Sequence, residues 1–369
     1  MHPFTAAFLV ALALSTALRM WLALRHLRHI AAHRAGVPES FAGRVTPEAH
    51  QKAADYTSAK TRLGMLETLL GATILLCFTL GGGLDALSAA WRGTLGTDRD
   101  TLQIAHGIAL ILSVTLISGI IELPFGLYRT FVIEARFGFN RMTPGLYFAD
   151  MARQLLIGLA LGVPLLFCVL WLMARMGGHW WLWVWATWVG FNLLVLLIYP
   201  TLIAPLFNKF TPLEDAPLKS RIEDLLAKCG FRVQGLYVMD SSRRSSHGNA
   251  YFTGFGAARR IVFFDTLLTR LAPAEIEAVL AHELGHFSHR HVWKRVAVLF
   301  AASFLFLALL GWLIGQDWFY TALGVGSPST AMALLLFVMV APAFSFPLQP
   351  LASLYSRRHE YEADAYAAK

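Results

Sequence analysis

Charged residues are scarce in this chain, because Asp, Glu, Lys and Arg together make up only 15% of its 369 residues. A water-soluble domain ordinarily carries about a quarter charged residues, which keep its surface hydrated. Apolar residues make up 56% of the chain, and its mean hydropathy is +0.54. This composition excludes a disordered tail, a small disulfide scaffold and an ordinary soluble domain, and it predicts an integral membrane protein.

Cysteine is rare as well. Cys77, Cys168 and Cys229 are too few for a disulfide framework, and the first two lie in apolar runs, where a thiol packs as a small hydrophobic group. The net charge is +8, yet the sequence has no long Lys/Arg run and no nucleic-acid recognition motif. We therefore expect no nucleic-acid partner, and the positive balance suits a phospholipid bilayer instead.

Crossing the hydrocarbon layer as a helix takes about 20 mostly apolar residues. Seven runs of that length are present, at residues 3–24, 63–82, 104–123, 155–174, 180–203, 296–315 and 330–350. No basic residue precedes the apolar core of the first run, which favours a retained anchor over a cleaved signal peptide. The sequence therefore predicts a polytopic protein with seven transmembrane helices.

Basic residues in the loops predict the orientation. Loops 25–62 and 124–153 carry seven and four Lys or Arg residues, whereas loop 84–103 carries two and segment 316–329 carries none. Because basic loops stay in the cytoplasm, we expect the N-terminus outside and the C-terminus inside. The long segment 204–295 then falls on the cytoplasmic side.

That long segment is the one soluble-looking part of the chain, and its pattern is mixed. Residues 218–229 have helical spacing, residues 235–239 and 260–264 are typical of short strands, and Pro273 opens a further helix. We expect four parts: five transmembrane helices at 1–203, a catalytic segment at 204–295, two transmembrane helices at 296–350 and a final helix at 351–369.

His282, Glu283 and His286 form an H-E-x-x-H pattern on the helix that Pro273 opens. Positions i and i+4 share one helix face, so both imidazoles can bind a single Zn²⁺ while the glutamate faces the metal-bound water. Zinc lowers the pKa of that water to about 7, and a glutamate can accept its proton during attack on a carbonyl. The pattern predicts peptide hydrolysis; the alternative is structural pairing of His and Glu beside the membrane.

A catalytic zinc needs a third protein ligand and one open position. The best candidate is Glu360, in a helical stretch that follows the seventh span on the same predicted side. Asp364 lies one turn further on the same face and could accept the second N–H of a ligating histidine. Glu362 points elsewhere and is the weaker candidate. The alternative is an ordinary solvated helix face.

Five longer sequence motifs resemble those of the CAAX prenyl endopeptidases, the type I integral membrane zinc metalloproteases. The a-factor converting enzyme belongs to this family. The resemblance covers nearly the whole chain. It rests on residues 131–140 (FVIEARFGFN), 205–210 (PLFNKF), 245–254 (SSHGNAYFTG), 281–286 (AHELGH) and 358–364 (RHEYEAD).

The resemblance implies one Zn²⁺ per chain, a general base and a set of ligands. The implied ligands are His282, His286 and Glu360, with Glu283 as base and Asp364 as the partner of a ligating histidine. It also implies a substrate-binding strand made of Asn249, Ala250, Tyr251, Phe252 and Thr253, where an extended peptide could pair with an exposed edge. The alternative for Asn249 is a turn residue. His247 and His291 occur at family positions without an assigned role.

The fold that the resemblance implies is all-α and polytopic, with seven transmembrane helices around a large internal chamber. A small mixed α/β zinc-protease insertion lies on the cytoplasmic side. Such a chamber would accommodate the polar residues at membrane depth, although pairing between helices would do so equally well. These residues are Arg19, Glu67, His106, Glu122 and Asn192. Relatives continue past the position of Lys369 with a segment that contributes a histidine and an arginine, so we expect a trimmed chain.

The predicted function is zinc-dependent cleavage of a peptide bond near the C-terminus of a prenylated CAAX-type substrate. The Ala-, Leu- and Arg-rich composition is typical of a bacterium, which would place the protein in the inner membrane; a eukaryotic member would lie in the endoplasmic reticulum. Because a bacterium need not make prenylated proteins, broad-specificity quality control of membrane proteins is the alternative. A transporter or scaffold with structural zinc is a further alternative, but structural zinc takes four protein ligands.

Overall fold

The structure is a computed structural model that describes residues 1–95, 100–254 and 260–369. Its α-helices are α1 (Pro3–His33), α2 (Pro47–Phe78), α3 (Gly83–Leu95), α4 (Asp100–Tyr128), α5 (Pro144–Arg175), α6 (Trp180–Ile198), α7 (Ala216–Lys228), α8 (Asp265–Leu268), α9 (Pro273–Ser288), α10 (His291–Leu313), α11 (Asp317–Thr321), α12 (Thr330–Ser345) and α13 (Gln349–Ala367). Its strands are β1 (Phe210–Pro212), β2 (Gly235–Met239), β3 (Ala250–Thr253) and β4 (Arg260–Phe264).

In the described part of the chain, seven helical segments are long and apolar enough to cross a membrane. They contain α1, α2, α4, α5, α6, α10 and the α12–α13 stretch, which confirms the seven predicted runs. The predicted loop 25–62 is wrong in its extent, because α1 continues to His33 and α2 begins at Pro47. Thr46 caps α2, since its Oγ1 accepts the Ala49 N–H at 3.2 Å. Hydropathy predicts only the apolar part of a helix. The helix itself can extend further, until a capping residue or a glycine ends it, so the predicted loop was too long.

The predicted connection 84–103 lies between two spans, as expected, but α3 occupies most of it. Leu84 is fully buried and Ser88 is 3% exposed, so α3 packs one face inward although it is too polar to be a membrane span. The Asp85 carboxylate fixes its first turn by accepting the Gly326 N–H and the Ser327 hydroxyl, each at 2.8 Å.

The chain divides into two compact units, of which the first comprises Met1–Gly138, Val163–Val184 and Leu307–Leu348. In this unit α1 packs against α2 and α12, and α4 packs against α3 and α12. Its core consists of large apolar side chains with almost no exposure, including Phe8, Leu84, Leu110, Leu170, Leu310, Phe319 and Leu336.

The second unit comprises Phe139–Gly162, Trp185–Phe306 and Gln349–Lys369, and it holds the four-stranded sheet. The strand order is β1-β2-β4-β3; β2 and β4 are parallel, and the other pairs are antiparallel. The predicted strands 235–239 and 260–264 and the helix opened by Pro273 are confirmed. The three-residue β1 was missed, because it is too short to show alternation. Buried residues of α7, β4 and α9 form the core: Ile222, Ile261, Phe263, Ile276, Leu280 and Leu284.

A buried ion pair ties the start of α5 to the loop after β2. Asp150 is 4% exposed, and it accepts from Arg244 twice, at 2.7 Å from Nε and at 3.0 Å from Nη2. Arg244 Nη1 also donates to Asn208 Oδ1 at 3.0 Å, and Arg153 donates to Asp150 at 2.8 Å. The guanidinium of Arg244 therefore holds three separate segments of this unit together.

We predict that Asp150→Ala destabilises the protein by about 3 kcal/mol, because it leaves a largely buried guanidinium without its carboxylate. Thermal unfolding in detergent measures this loss. The matched control is Asp55→Ala, which breaks an exposed bidentate pair with Arg34 at 2.7 and 2.9 Å and should barely change the melting temperature. Equal shifts for the two variants would contradict the assigned role of Asp150.

Candidate metal centre

Helix α9 carries the H-E-x-x-H residues and is anchored by its apolar face. Leu280 and Leu284 on that face are fully buried, which leaves His282 and His286 on another face. The first turn is fixed by the Glu275 carboxylate, which accepts the Ala272 N–H at 2.8 Å. The backbone under the two histidines is therefore held rigidly.

Helix α13 packs along α9 at a point where neither helix carries a large side chain. A Cβ atom added at Gly285 would lie 2.8 Å from Ala363 Cα and 3.0 Å from Ala363 O. Ala363 itself is completely buried. Because the backbones touch here, Glu360 and Asp364, which flank Ala363 on α13, come within reach of the histidines of α9.

Three predicted ligands meet in one place. Nε2 of His282 lies 3.2 Å from Nε2 of His286, and Oε2 of Glu360 lies 3.5 Å from each of them. Among the described residues, these three form a group whose ligand atoms all lie within 4.8 Å of one another. The structure thus brings together the three residues that the sequence predicted as ligands.

Each of the three side chains is held by a different partner. Nδ1 of His282 lies 2.8 Å from Oδ1 of Asp364, as the sequence predicted. Nδ1 of His286 lies 2.9 Å from Nδ1 of His291, and Arg295 donates to Oε1 of Glu360 at 3.3 Å. The roles of His291 and Arg295 were missed, because both lie beyond a chain reversal that follows α9.

Glu362 faces away from the three ligand atoms, in agreement with the prediction that it is the weaker ligand candidate. Its Oε2 lies 2.9 Å from Nε2 of His291, and its Oε1 accepts from Nε of Arg358 at 3.0 Å. Periodicity shows that Glu362 and Glu360 lie on different faces of α13, but it carries no signal for the partner of Glu362.

Burial shifts the pKa of two central residues, Glu283 and His286. It raises the pKa of the half-buried Glu283 carboxyl; the nearby His282 lowers this pKa and Glu360 raises it further. Burial also lowers the pKa of His286, against the opposing effect of Glu360. A neutral imidazole keeps the lone pair that a metal ion requires.

A cavity of about 1110 Å³ adjoins His286 within the second unit. Its wall is largely apolar and includes Leu196, Phe231, Tyr251, Phe252, Phe287 and Trp293. Strand β3 contributes Tyr251, Phe252 and Thr253 to this wall and is an outer strand of the described sheet. A cleft of this size beside candidate metal ligands can hold an extended peptide.

The other two residues predicted to bind substrate lie differently. Ala250 is 3% exposed and belongs to the core of the unit. Asn249 Oδ1 accepts the N–H of Ala250 at 2.9 Å, and its carbonyl accepts from Phe264 at 2.9 Å. The Asn249 carbonyl thus continues the antiparallel pairing of β3 with β4 by one residue, and its side chain contacts the adjacent backbone.

Four of the five polar residues singled out at membrane depth, and also His247, have contacts that the structure shows. Glu67 pairs with Arg129 across two helices, and His106 lies 3.0 Å from the carbonyl of Ser88. The Arg19 guanidinium lies 4.4 Å from the ring centre of Phe346, and His247 stacks on Phe139 at 4.4 Å. Asn192 donates to the Trp188 carbonyl at 2.8 Å and also lines the cavity. Pairing between helices accounts for Glu67, while Asn192 faces open space.

The chain matches known proteins over nearly its whole length. Residues 26–209 match the family described as CAAX prenyl protease N-terminal, five membrane helices, and residues 212–369 match peptidase family M48. This chain is 34% identical to CAAX prenyl protease 1 homolog of Arabidopsis thaliana, over 90% of this chain and 79% of the relative. It is 30% identical to CAAX prenyl protease 1 of Saccharomyces cerevisiae, over 90% and 78%.

The crystal structure of S. mikatae Ste24p matches with a TM-score of 0.88 and 29% sequence identity, over all of this chain and 89% of that one. The chain belongs to the CAAX prenyl protease 1 family. It is therefore a multi-pass integral membrane metalloendopeptidase that acts on peptide or protein substrates, and its family implies a bound metal ion. The resemblance drawn from the sequence motifs is confirmed, and so is the polytopic helical fold.

We predict that Gly285→Ala destabilises the protein by about 1–3 kcal/mol, because the new methyl group must push α9 away from Ala363. Metal content should fall as well, since the candidate ligands lie on the two helices being separated. The control is Gly190→Ala in α6, where no atom lies within 4 Å of the added Cβ and stability should be unchanged or slightly higher. Parental melting temperature and metal content in Gly285→Ala would exclude the proposed close contact.

Proposed function

We propose that this protein is a zinc-dependent endopeptidase that cleaves near the C-terminus of prenylated CAAX-type substrates. In this proposal one Zn²⁺ is held by His282, His286 and Glu360, and Glu283 is the general base. Asp364 holds His282 in place from behind the metal centre.

The observation that carries the proposal is the spacing of the three ligand atoms. Atoms that bind zinc at about 2.05 Å in a tetrahedral arrangement lie about 3.3 Å apart. The observed separations are 3.2, 3.5 and 3.5 Å. These separations match that spacing, so the three-residue donor set fits zinc.

When bound, zinc supplies a Lewis acid that activates water and polarises the scissile carbonyl. The protein supplies the proton transfers. Glu283 stands between the two histidine ligands in sequence and makes no contribution to the group of ligand atoms. It is therefore free to accept a proton from the attacking water and to pass it to the leaving amine. Its burial strengthens electrostatic interactions with the reacting groups.

Strand β3 and the cavity support a peptide substrate with an apolar group. The outer edge of β3 offers backbone N–H and C=O groups to an extended chain. The apolar side chains along the cavity would accept an isoprenoid group without burying unpaired polar atoms. Of the predicted strand, we assign side-chain contacts to Tyr251, Phe252 and Thr253, and backbone roles only to Asn249 and Ala250.

The basic loops favour a catalytic segment on the cytoplasmic side, where C-terminal motifs of cytosolic proteins are accessible. The membrane is the bacterial inner membrane if the protein comes from a bacterium, as its composition indicates, and the endoplasmic reticulum membrane otherwise. The internal chamber and the four-part division of the chain belong to the same proposal.

We predict that Glu283→Gln keeps parental zinc content and lowers turnover by about 10²–10⁴-fold, because it removes the base and spares the ligands. Glu360→Ala should lose zinc. Elemental analysis and peptide cleavage by purified protein measure both effects. Glu277→Gln, on the same helix but outside the metal centre, should change neither. Undiminished turnover in Glu283→Gln would exclude it as the base, and tight zinc binding by Glu360→Ala would exclude it as a ligand.

We predict that a farnesylated C-terminal peptide is cleaved with a kcat/KM at least about tenfold above that of the same unmodified peptide. Burial of only a few methylene groups supplies the required difference of about 1.4 kcal/mol. The measurement is cleavage of the two peptides by one protein preparation. Equal values would favour the broad-specificity alternative.

A further inference from the structure

His291, the first residue of α10, is polar, buried and unassigned by any motif. It is 1% exposed, and each ring nitrogen has one close partner. Nδ1 lies 2.9 Å from Nδ1 of His286, and Nε2 lies 2.9 Å from Oε2 of Glu362. Both nitrogens are therefore engaged, which leaves neither available to a metal ion.

The direction of each hydrogen bond follows from the chemistry of the partners. A carboxylate only accepts, so Nε2 of His291 carries a hydrogen and donates to Glu362. In the neutral ring, Nδ1 of His291 is then an acceptor, and Nδ1–H of His286 donates to it. The hydrogen of His286 is thereby fixed on Nδ1, and its Nε2 lone pair points at His282 and Glu360.

The surroundings keep this arrangement in place. His359, which is 2% exposed, stacks on His291 with ring centres 4.0 Å apart and planes 10° apart. Arg358 holds the second oxygen of Glu362 at 3.0 Å. The reversal between α9 and α10 places Arg290 at φ 56°, a left-handed conformation that non-glycine residues rarely adopt. This turn puts His291 directly behind His286.

We propose that His291 is a positioning residue that fixes the tautomer and ring orientation of His286, and that Glu362 acts on the metal centre only through His291. The proposal rests on the proposed zinc site. The two histidine ligands are then oriented by unequal means, because His282 donates directly to a carboxylate and His286 donates to one through an intervening imidazole.

The test is zinc affinity, measured on the purified full-length chain by competition with a chelator. His291→Phe keeps a ring for stacking and removes the acceptor, so affinity should fall about 10- to 100-fold. His291→Asn places Oδ1 near the former position of Nδ1, where it can still accept from His286, but it no longer reaches Glu362. Affinity should therefore fall about as far as in Glu362→Ala and clearly less than in His291→Phe. Partial rescue by Asn is not expected of a residue that only fills space.

A double-mutant cycle tests the relay. Glu362→Ala should lower zinc affinity about tenfold in the parent and less than about twofold in His291→Phe, since its effect passes through the missing imidazole. The matched control is His289→Gln: His289 also stacks near His291, at 5.4 Å, but its Nδ1 bonds the Gly285 carbonyl, and affinity should remain parental.

Three results would overturn the inference: parental affinity in His291→Phe, equal losses in His291→Asn and His291→Phe, or a Glu362→Ala loss that is the same in both backgrounds. If His291→Phe does not fold, the cycle is run with His291→Asn, where Glu362→Ala should again add less than about twofold. A parent that binds no zinc would instead overturn the proposed function itself, so the two failures are distinguishable.

Discussion

The candidate metal centre depends on one close contact, between Gly285 of α9 and Ala363 of α13. Each helix presents two polar side chains four residues apart, His282 and His286 on one, Glu360 and Asp364 on the other. Side chains at i and i+4 share a face, so each helix alone can orient its pair but cannot close the group. Because Gly285 has no Cβ, the two backbones can approach until Glu360 and Asp364 contact the two histidines. The small residue is therefore as much a part of the site as its ligands.

The side chains that contact the three candidate ligands differ in charge. Acidic partners strengthen the two histidines as metal ligands, and a basic partner weakens the glutamate. Asp364 accepts the Nδ1 hydrogen of His282, and in the proposed relay Glu362 acts in the same way on His286 through His291. Both contacts raise the electron density on Nε2 and make that atom a stronger ligand for a cation. Arg295 does the reverse at Glu360, because its guanidinium withdraws charge from the carboxylate. In the proposed zinc site, two strengthened neutral ligands and one weakened anionic ligand would hold the metal ion and leave it enough positive charge to polarise a carbonyl.

The sequence predicted those features that a local pattern encodes. Apolar runs of about 20 residues predicted the seven spans, and i, i+4 spacing predicted which faces carry His282, His286, Glu360 and Asp364. Patterns of this kind could not predict α3, whose buried face is too short and too polar to be read as a span. They could not predict His291 either, since its position depends on one left-handed residue, Arg290, and arginine gives no signal for that conformation. Arg295 could not be predicted for the same reason, because it lies on α10 and this turn sets the direction of that helix.

In the described sheet, β3 is an outer strand whose other edge pairs with no described strand, and its length and surroundings make this edge acceptable. An exposed edge ordinarily invites pairing with other chains, and proteins limit it by shortness or charge. β3 has four residues, and its side chains line a largely apolar cavity in which burial raises the pKa of Tyr251 to about 12. In such surroundings backbone hydrogen bonds are stronger than in water, because the dielectric constant is low. In the proposed reaction, a peptide that pairs with β3 gains more per bond than it would at a solvated edge. In this proposal, the edge that would be a liability on an open surface aligns the scissile bond beside His286.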